Sequence, residues 1–453
     1  MEHSSSEDLY ELFRVLAPAA FFQKLNREFQ CSGRGIYTAQ LVIWLKIQQQ
    51  LFGRGTLAEA VAQVVKGQPS SLVPDHKRVR EGTVSSRTGA YSQAQKRLSP
   101  NLFKQVNQHL VDEISKLHND ARDGGGVYLL DGSGLVLPHT PELVREFPPA
   151  RNQHGVSHWP VMRVVVAHHL RSGTAVQPYW GPMFGKKAVS EQALAEQLLP
   201  HLPPRSTIVA DRNFGVFSVV FTADHYQHDV IVRLTKVRAQ RLMGGSLPRR
   251  KGDRDVTWKP SRDDRRSHPS LPADACLSGR LIIRHLKRHG QVIVIYLFTT
   301  SQLPAEEIVE FYGLRWNIET DLRTLKQMVR LGHIRSLSTQ TVTKEIISGI
   351  MAYNLVRAVQ LAAAQLAGVD PRDLSFARVQ AVVNQWFPMM LDARNSRQFF
   401  NLFRRMLIAA TQAKLPNRQR KRRRKYPRAI WGRPQEWARR TVGKKSIRLK
   451  GGK

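Results

Sequence analysis

The chain has 453 residues, 42% of them hydrophobic, with 70 Lys and Arg against 35 Asp and Glu and a formal charge of +35. Such a composition excludes a disordered chain, gives room for roughly two to four domains, and points to a polyanion as partner, nucleic acid ahead of an anionic membrane surface. Cys31 and Cys276 stand far apart with no Cys/His cluster around them, which argues against a disulfide framework and a structural zinc site.

The N-terminus, MEHSSSEDLYELF, is too acidic and polar for a secretory signal. No apolar run approaches the ~20 residues of a membrane span. A soluble, reducing compartment and no membrane association are therefore expected.

Residues 1–122 read as a helical N-terminal DNA-binding domain. Tyr37–Phe52 and Thr56–Val65 have helical apolar spacing, and a loop rich in Ser, Pro and charge runs from Lys66 to about Gly82. Ser85 or Ser86 can cap a helix that ends near Ser99-Pro100. That helix is expected to show Arg87, Tyr91, Gln93, Gln95, Lys96 and Arg97 outward. Arg87, Lys96 and Arg97 become candidate DNA contacts, because such side chains reach phosphates and base edges in a groove; an ordinary polar surface helix satisfies the same pattern.

Gly124–Gly126 marks a boundary, and β-rich runs follow. GVYLLD (Gly126–Asp131) reads as a buried strand ending in an acid. Met162–Leu170 and Thr174–Trp180 read as a strand pair joined at Arg171–Gly173. Ser190–Leu202 is a helix capped by Ser190, Ser206–Asp211 is a second strand ending in an acid, and Asp229–Leu234 is another strand. This is an α/β pattern with a mixed sheet, over residues 123–235. Residues 236–300 loosen into a β-rich insertion with strands near GRLIIRHL and QVIVIYLFTT. Residues 301–338 hold a long helix starting near Pro304, residues 339–415 are helical again, and 416–453 form a basic tail with Glu436 as its one acid.

In YGLRWNIETDLRTLK (Tyr312–Lys326), Tyr312, Arg315, Glu319 and Lys326 follow at intervals of three, four and seven. On one helix they point within a roughly 60° arc. Phe311, Leu314, Ile318, Leu322, Leu325 and Val329 fill the adjoining arc and are expected to face a core. An amphipathic helix with a solvated charged face gives the same spacing. Asp131 and Asp211, in DGSG and DRNFG, are turn residues when read singly. Two carboxylates from a sheet edge and one from a helix would instead form an all-oxygen pocket suited to Mg²⁺, whose binding offsets their repulsion. Two such ions support in-line phosphoryl displacement. His168 and His169, adjacent on a strand, point to opposite faces and are expected to be structural. Lys186-Lys187 sits in a loop that DNA or solvent could meet.

At these residues the chain resembles the DDE transposases of bacterial insertion sequences, the insertion sequence 4 family in particular. Tyr312, Arg315, Glu319 and Lys326 satisfy its Tyr-x2-Arg-x3-Glu-x6-Lys signature in full, and LLDGSG and VADRNFG are similar to its two acidic blocks. The resemblance spans roughly Ser85 to Trp437. It implies a ribonuclease-H-like catalytic core with a β-rich insertion, flanked by helical N-terminal and C-terminal regions. It implies Asp131, Asp211 and Glu319 as catalytic ligands of two Mg²⁺ ions, with Mn²⁺ able to substitute. It also implies cleavage at terminal inverted repeats through a hairpin, then joining to target DNA. Tyr312, Arg315 and Lys326 would hold the end-strand phosphates, and Trp258 resembles the family's base-stacking tryptophan. Trp316 and Arg212 are candidates for the same region. The implied partners are double-stranded DNA and a second copy in a synaptic dimer, with the region after Thr339 as the candidate contact, in a bacterial, nucleoid-associated, cytoplasmic setting. A nuclease or resolvase without strand transfer, and a non-catalytic DNA-binding derivative, are the competing readings.

Overall fold

The computed structural model describes residues 19–31, 35–51, 55–70, 72–116, 125–153, 155–248, 250–288, 291–327, 332–393 and 395–415. Val329 and the basic tail 416–453 lie outside them. The first helices are α1 (Ala19–Glu28), α2 (Ala39–Leu51), α3 (Leu57–Val65), α4 (Lys77–Arg80), α5 (Gly89–Arg97) and α6 (Pro100–Lys116). α2 is buried on nearly every side, Lys46, Gln48 and Gln50 included. α3 starts at a capping box, in which the Thr56 hydroxyl accepts from the Glu59 N–H and the Glu59 carboxylate accepts from the Thr56 N–H. α5 differs from expectation. It begins at Gly89, because Ser85 accepts from the Arg87 N–H in a local turn instead of capping a helix. Tyr91 and Gln95 point inward, while Arg87, Gln93, Lys96 and Arg97 are exposed.

The middle of the chain holds β1 (Val127–Val136), α7 (Pro141–Glu146), β2 (Pro149–Asn152), β3 (Gly155–His169), β4 (Tyr179–Pro182), α8 (Glu191–Leu198), β5 (Thr207–Ala210), α9 (Phe217–His225) and β6 (Asp229–Arg233). Then come α10 (Lys236–Leu242), β7 (Gly252–Trp258), α11 (Arg262–Ser267), β8 (Leu277–Arg288) and β9 (Gln291–Thr299). All nine strands join one mixed sheet in the order β2-β3-β1-β5-β6-β9-β8-β7, with β4 on β3. β1, β5 and β6 run parallel, while β3 is antiparallel to β1 and to β4. The β-rich insertion is no separate layer, since β9 pairs with β6 and carries β8 and β7 outward on the same sheet.

Two expected strands differ. β1 does not end at Asp131. Its parallel ladder to β5 stops at Leu130↔Ala210, but its antiparallel ladder to β3 continues to Val136↔Val161. Thr174–Trp180 is not a strand, apart from one bridge at Ala175 and the first residues of β4. A side chain replaces the ladder there: the Asn354 amide donates to the Ala175 carbonyl at 2.8 Å and accepts from its N–H at 2.9 Å.

The chain closes with α12 (Ala305–Leu314), α13 (Asn317–Gln327), α14 (Thr339–Ala367), α15 (Phe376–Leu391) and α16 (Ser396–Thr411). α14 is capped by Ser338 and ended by Gly368 at φ +61°, a left-handed position that suits glycine. It is long and apolar enough to cross a membrane, yet it is enclosed as a core helix. α2, α5 and α6 pack on it from the N-terminal side and α15 and α16 from the C-terminal side, so both helical regions share one core. Apolar side chains exposed after Thr339 include Leu366, Met389 and Ile408. His168 and His169 are both buried, the first against Tyr353 of α14, the second against Tyr128 on the other face.

Candidate active site

Alternation along the parallel strands sets the site. Leu129, Val209 and Ile231 share one face of the sheet with Ile308 of α12 and Ile318 of α13. Leu130, Ala210 and Val232 share the other with Leu194 and Leu198 of α8. Asp131 therefore returns to the α13 face. Asp211 follows Ala210, so both acids come one residue after the last parallel pair, with neighbouring strands about 5 Å apart.

Their electrostatics agree. Burial pushes the Asp131 carboxyl up, the Gly132 N–H bond at 2.8 Å pulls it back, Asp211 raises it, Arg315 lowers it and Glu191 raises it, for a value of about 6. Lys326 also senses Asp131: burial lowers its ammonium, and the Asp131 carboxylate opposes that. Arg315 pairs with Glu319 at 3.7 Å and lies over the Tyr312 ring at 5.9 Å. The site thus brings Asp131, Asp211, Arg315 and Lys326 together, with Glu319 and Tyr312 held through Arg315. Arg212 is exposed beside Asp211.

The signature is not one helix. Arg315 and Trp316 form a turn between α12 and α13. The Arg315 and Ile318 N–H groups donate three residues back, to the carbonyls of Tyr312 and Arg315, and this tighter winding breaks the 100° step. Ile318 and Leu325 are buried as expected, Phe311 and Leu322 are half-buried, and Leu314 is exposed beside the turn.

Trp258 is not at a surface. It is 5% exposed and packs edge-on against Phe298 at 5.0 Å and Phe217 at 6.1 Å. Its place at the end of β7, opposite Leu277, aims the indole into the core below the sheet. The exposed indole next to the signature is Trp316, 58% accessible. Arg87, Lys96 and Arg97 lie around α5 in the helical body, not at the paired acids.

No group of three His, Cys, Asp or Glu side chains among the described residues stands close enough to hold a metal ion. Asp131 and Asp211 nevertheless fit a hard cation. Both are oxygen donors that follow neighbouring parallel strands, and burial, Asp211 and Glu191 all disfavour the charge on Asp131 in the absence of a cation. Glu319 is paired with Arg315 at 3.7 Å. Two further residues escaped the sequence reading. Glu191, in the first turn of α8, packs on Gly132. Asn213 binds both Glu191 and Asp211. In sequence Glu191 is only an acid after a cap; its meeting with Gly132 depends on the docking of α8.

A family model described as "Transposase DDE domain" matches residues 122–355, more than half of the chain. The transposase InsG for insertion sequence element IS4, from Escherichia coli (strain K12), is 28% identical over 327 residues, covering 70% of each chain. Its name agrees with the resemblance carried by the signature. By the span of the family match, the chain belongs to the transposase DDE-domain family.

Proposed function

We propose that this DNA transposase cuts an insertion sequence at its terminal inverted repeats and joins it to target DNA through a hairpin intermediate. Domains of this family use divalent metal ions. Here Asp131, Asp211 and Glu319 would hold two, Mg²⁺ or Mn²⁺. Such ions activate a water or a 3′-hydroxyl and stabilise the leaving oxygen. The observation that carries the reading is that Asp131 and Asp211, distant in sequence, follow the same parallel strand pair on the face that α13 covers.

The chain's own residues then divide the remaining work. Arg315 offers a planar fork to a phosphate, and Lys326 a point charge beside Asp131. Arg212 extends the cationic rim, and Tyr312 braces Arg315. We read the core as ribonuclease-H-like, supported by the strand order β4-β3-β1-β5-β6, in which β3 alone runs opposite to the other four. Synapsis of two ends requires two copies, and the exposed Leu366, Met389 and Ile408 offer apolar contacts for that assembly. A charge of +35 keeps such a protein on nucleoid DNA.

The test incubates the protein with Mg²⁺ and a labelled duplex ending in the element's terminal repeat, beside a target plasmid. Hairpin and joined products are expected. Nicks alone would replace the reading with a nuclease, and a mobility shift without cleavage would replace it with a binding protein.

A further inference from the structure

We infer that Glu191 is a positioning residue that fixes Asp131 and Asp211 relative to each other from behind the sheet. The inference rests on the role proposed above for that pair. Asp131 faces α13, so Gly132, the next residue of β1, faces α8. The space its side chain would fill is taken. A Cβ at Gly132 would stand 2.5 Å from the Glu191 Cδ and Oε1. Glycine is therefore the residue that lets the carboxylate lie directly on the strand behind Asp131.

The same carboxylate reaches the second acid. Its Oε2 accepts from Asn213 Nδ2 at 2.5 Å, and the Asn213 N–H donates to Asp211 Oδ1 at 2.7 Å. Gln192 Nε2 donates to both the Asn213 carbonyl and its Oδ1 at 2.8 Å. That leaves the Asn213 amide with its donor turned to Glu191. The anchor itself is rigid. Ser190 accepts from the Ala193 N–H at 3.0 Å, and Leu194, Ala195 and Leu198 bury α8 in the core beneath the sheet. One side chain thus touches the strand that presents Asp131 and, through Asn213, the loop that presents Asp211. Outer partners of this kind set the effective affinity of a carboxylate pair for a cation, commonly by about 10–100-fold.

The test reads Mn²⁺ binding to the DNA-free protein by electron paramagnetic resonance, alongside cleavage. Glu191→Ala removes the acceptor for Asn213 and is expected to weaken Mn²⁺ binding and cleavage by about 10–100-fold. Glu191→Gln keeps an acceptor oxygen and is expected to restore both to within about threefold. Asn213→Ala should match Glu191→Ala, and the double variant should be no worse than either single one. Because Asn213 is exposed, its variant carries the test if Glu191→Ala does not fold. Wild-type Mn²⁺ binding by Glu191→Ala or Asn213→Ala overturns the inference. Failure of Gln to rescue also overturns it, since Glu191 would then act as a ligand itself. Asp131→Asn and Asp211→Asn test the underlying reading separately: if they keep metal binding and cleavage, that reading falls, and if they lose both while Glu191→Ala does not, only the positioning role falls.

Discussion

Asp131 shows what a buried carboxylate costs its own fold. Its ordinary value is 3.8, and burial beside Asp211 and Glu191 raises it to about 6. Between these values the native chain keeps a proton that the unfolded chain has lost, so stability falls as pH rises through that window, and the whole penalty is present at pH 7. A shift of this size corresponds to about 1–3 kcal/mol. Asp131→Asn should therefore make the metal-free protein more stable at pH 7 by about 1–3 kcal/mol. The gain should vanish near pH 4, while cleavage is lost and DNA binding is kept. Denaturant unfolding in EDTA across that range checks it, and an unchanged stability at pH 7 would show that Asp131 is better solvated than its surroundings indicate. Trp258 makes the opposite case. Enclosed by Phe298 and Phe217, it should cost about 3–5 kcal/mol on truncation to Ala. If Trp258→Ala instead unfolds like wild type but fails to form hairpins, the indole spends its working life outside the core.

At the level of elements, the sequence was legible where local signals decide. The strands at Ser206–Asp211 and Asp229–Leu234, the Ser190 cap and the helices around Tyr37–Val65 all depend on neighbours within a few residues, and all appear in the fold. The misses lie where a distant partner decides. Asn354 of α14 takes the place of a strand for Ala175, β3 extends β1 beyond Asp131, and Tyr91 and Gln95 turn inward under the helical body. That Asp131 and Asp211 each follow an apolar run was readable from the sequence, but the turn at Arg315–Trp316 and the approach of Glu191 were not. α13 carries a further long-range tie. Asp321, wholly buried, accepts from Arg357 at 2.5 Å and from Arg372 at 2.9 Å. Burial alone would raise its carboxyl, but Arg357 and Arg372 outweigh it and hold it below the ordinary range. Arg372 also donates to the Leu170 carbonyl at 2.6 Å, so the helix of Glu319 is fastened to α14 and to the end of β3. Asp321→Ala leaves Arg357 buried without its carboxylate and should cost about 3–5 kcal/mol. The exposed Arg323→Ala on the same helix should stay within about 0.5 kcal/mol. Thermal melts of the two variants side by side check the difference; equal melting points would mean that α13 is held by its apolar face alone.

At the scale of the whole molecule, charge is distributed unevenly along the chain. The first of two units runs to Ala413, and residues 416–453 hold sixteen Lys and Arg against one Glu, +15 of the formal +35. Folding should then be separable from much of the attraction to DNA. A chain ending at Leu415 keeps every helix of the shared core and should melt at the wild-type temperature. Its affinity for an arbitrary duplex should fall. The dependence of that affinity on salt should fall with it, because every phosphate left without its cation takes about 0.9 off the slope of log K against log salt. Fluorescence anisotropy from about 50 to 200 mM salt, the range over which such binding weakens most visibly, measures both quantities on one titration. A truncated chain with the full-length slope would place the phosphate-binding cations entirely before residue 416, at Arg212, Arg315, Lys326 and the exposed basic residues around α5.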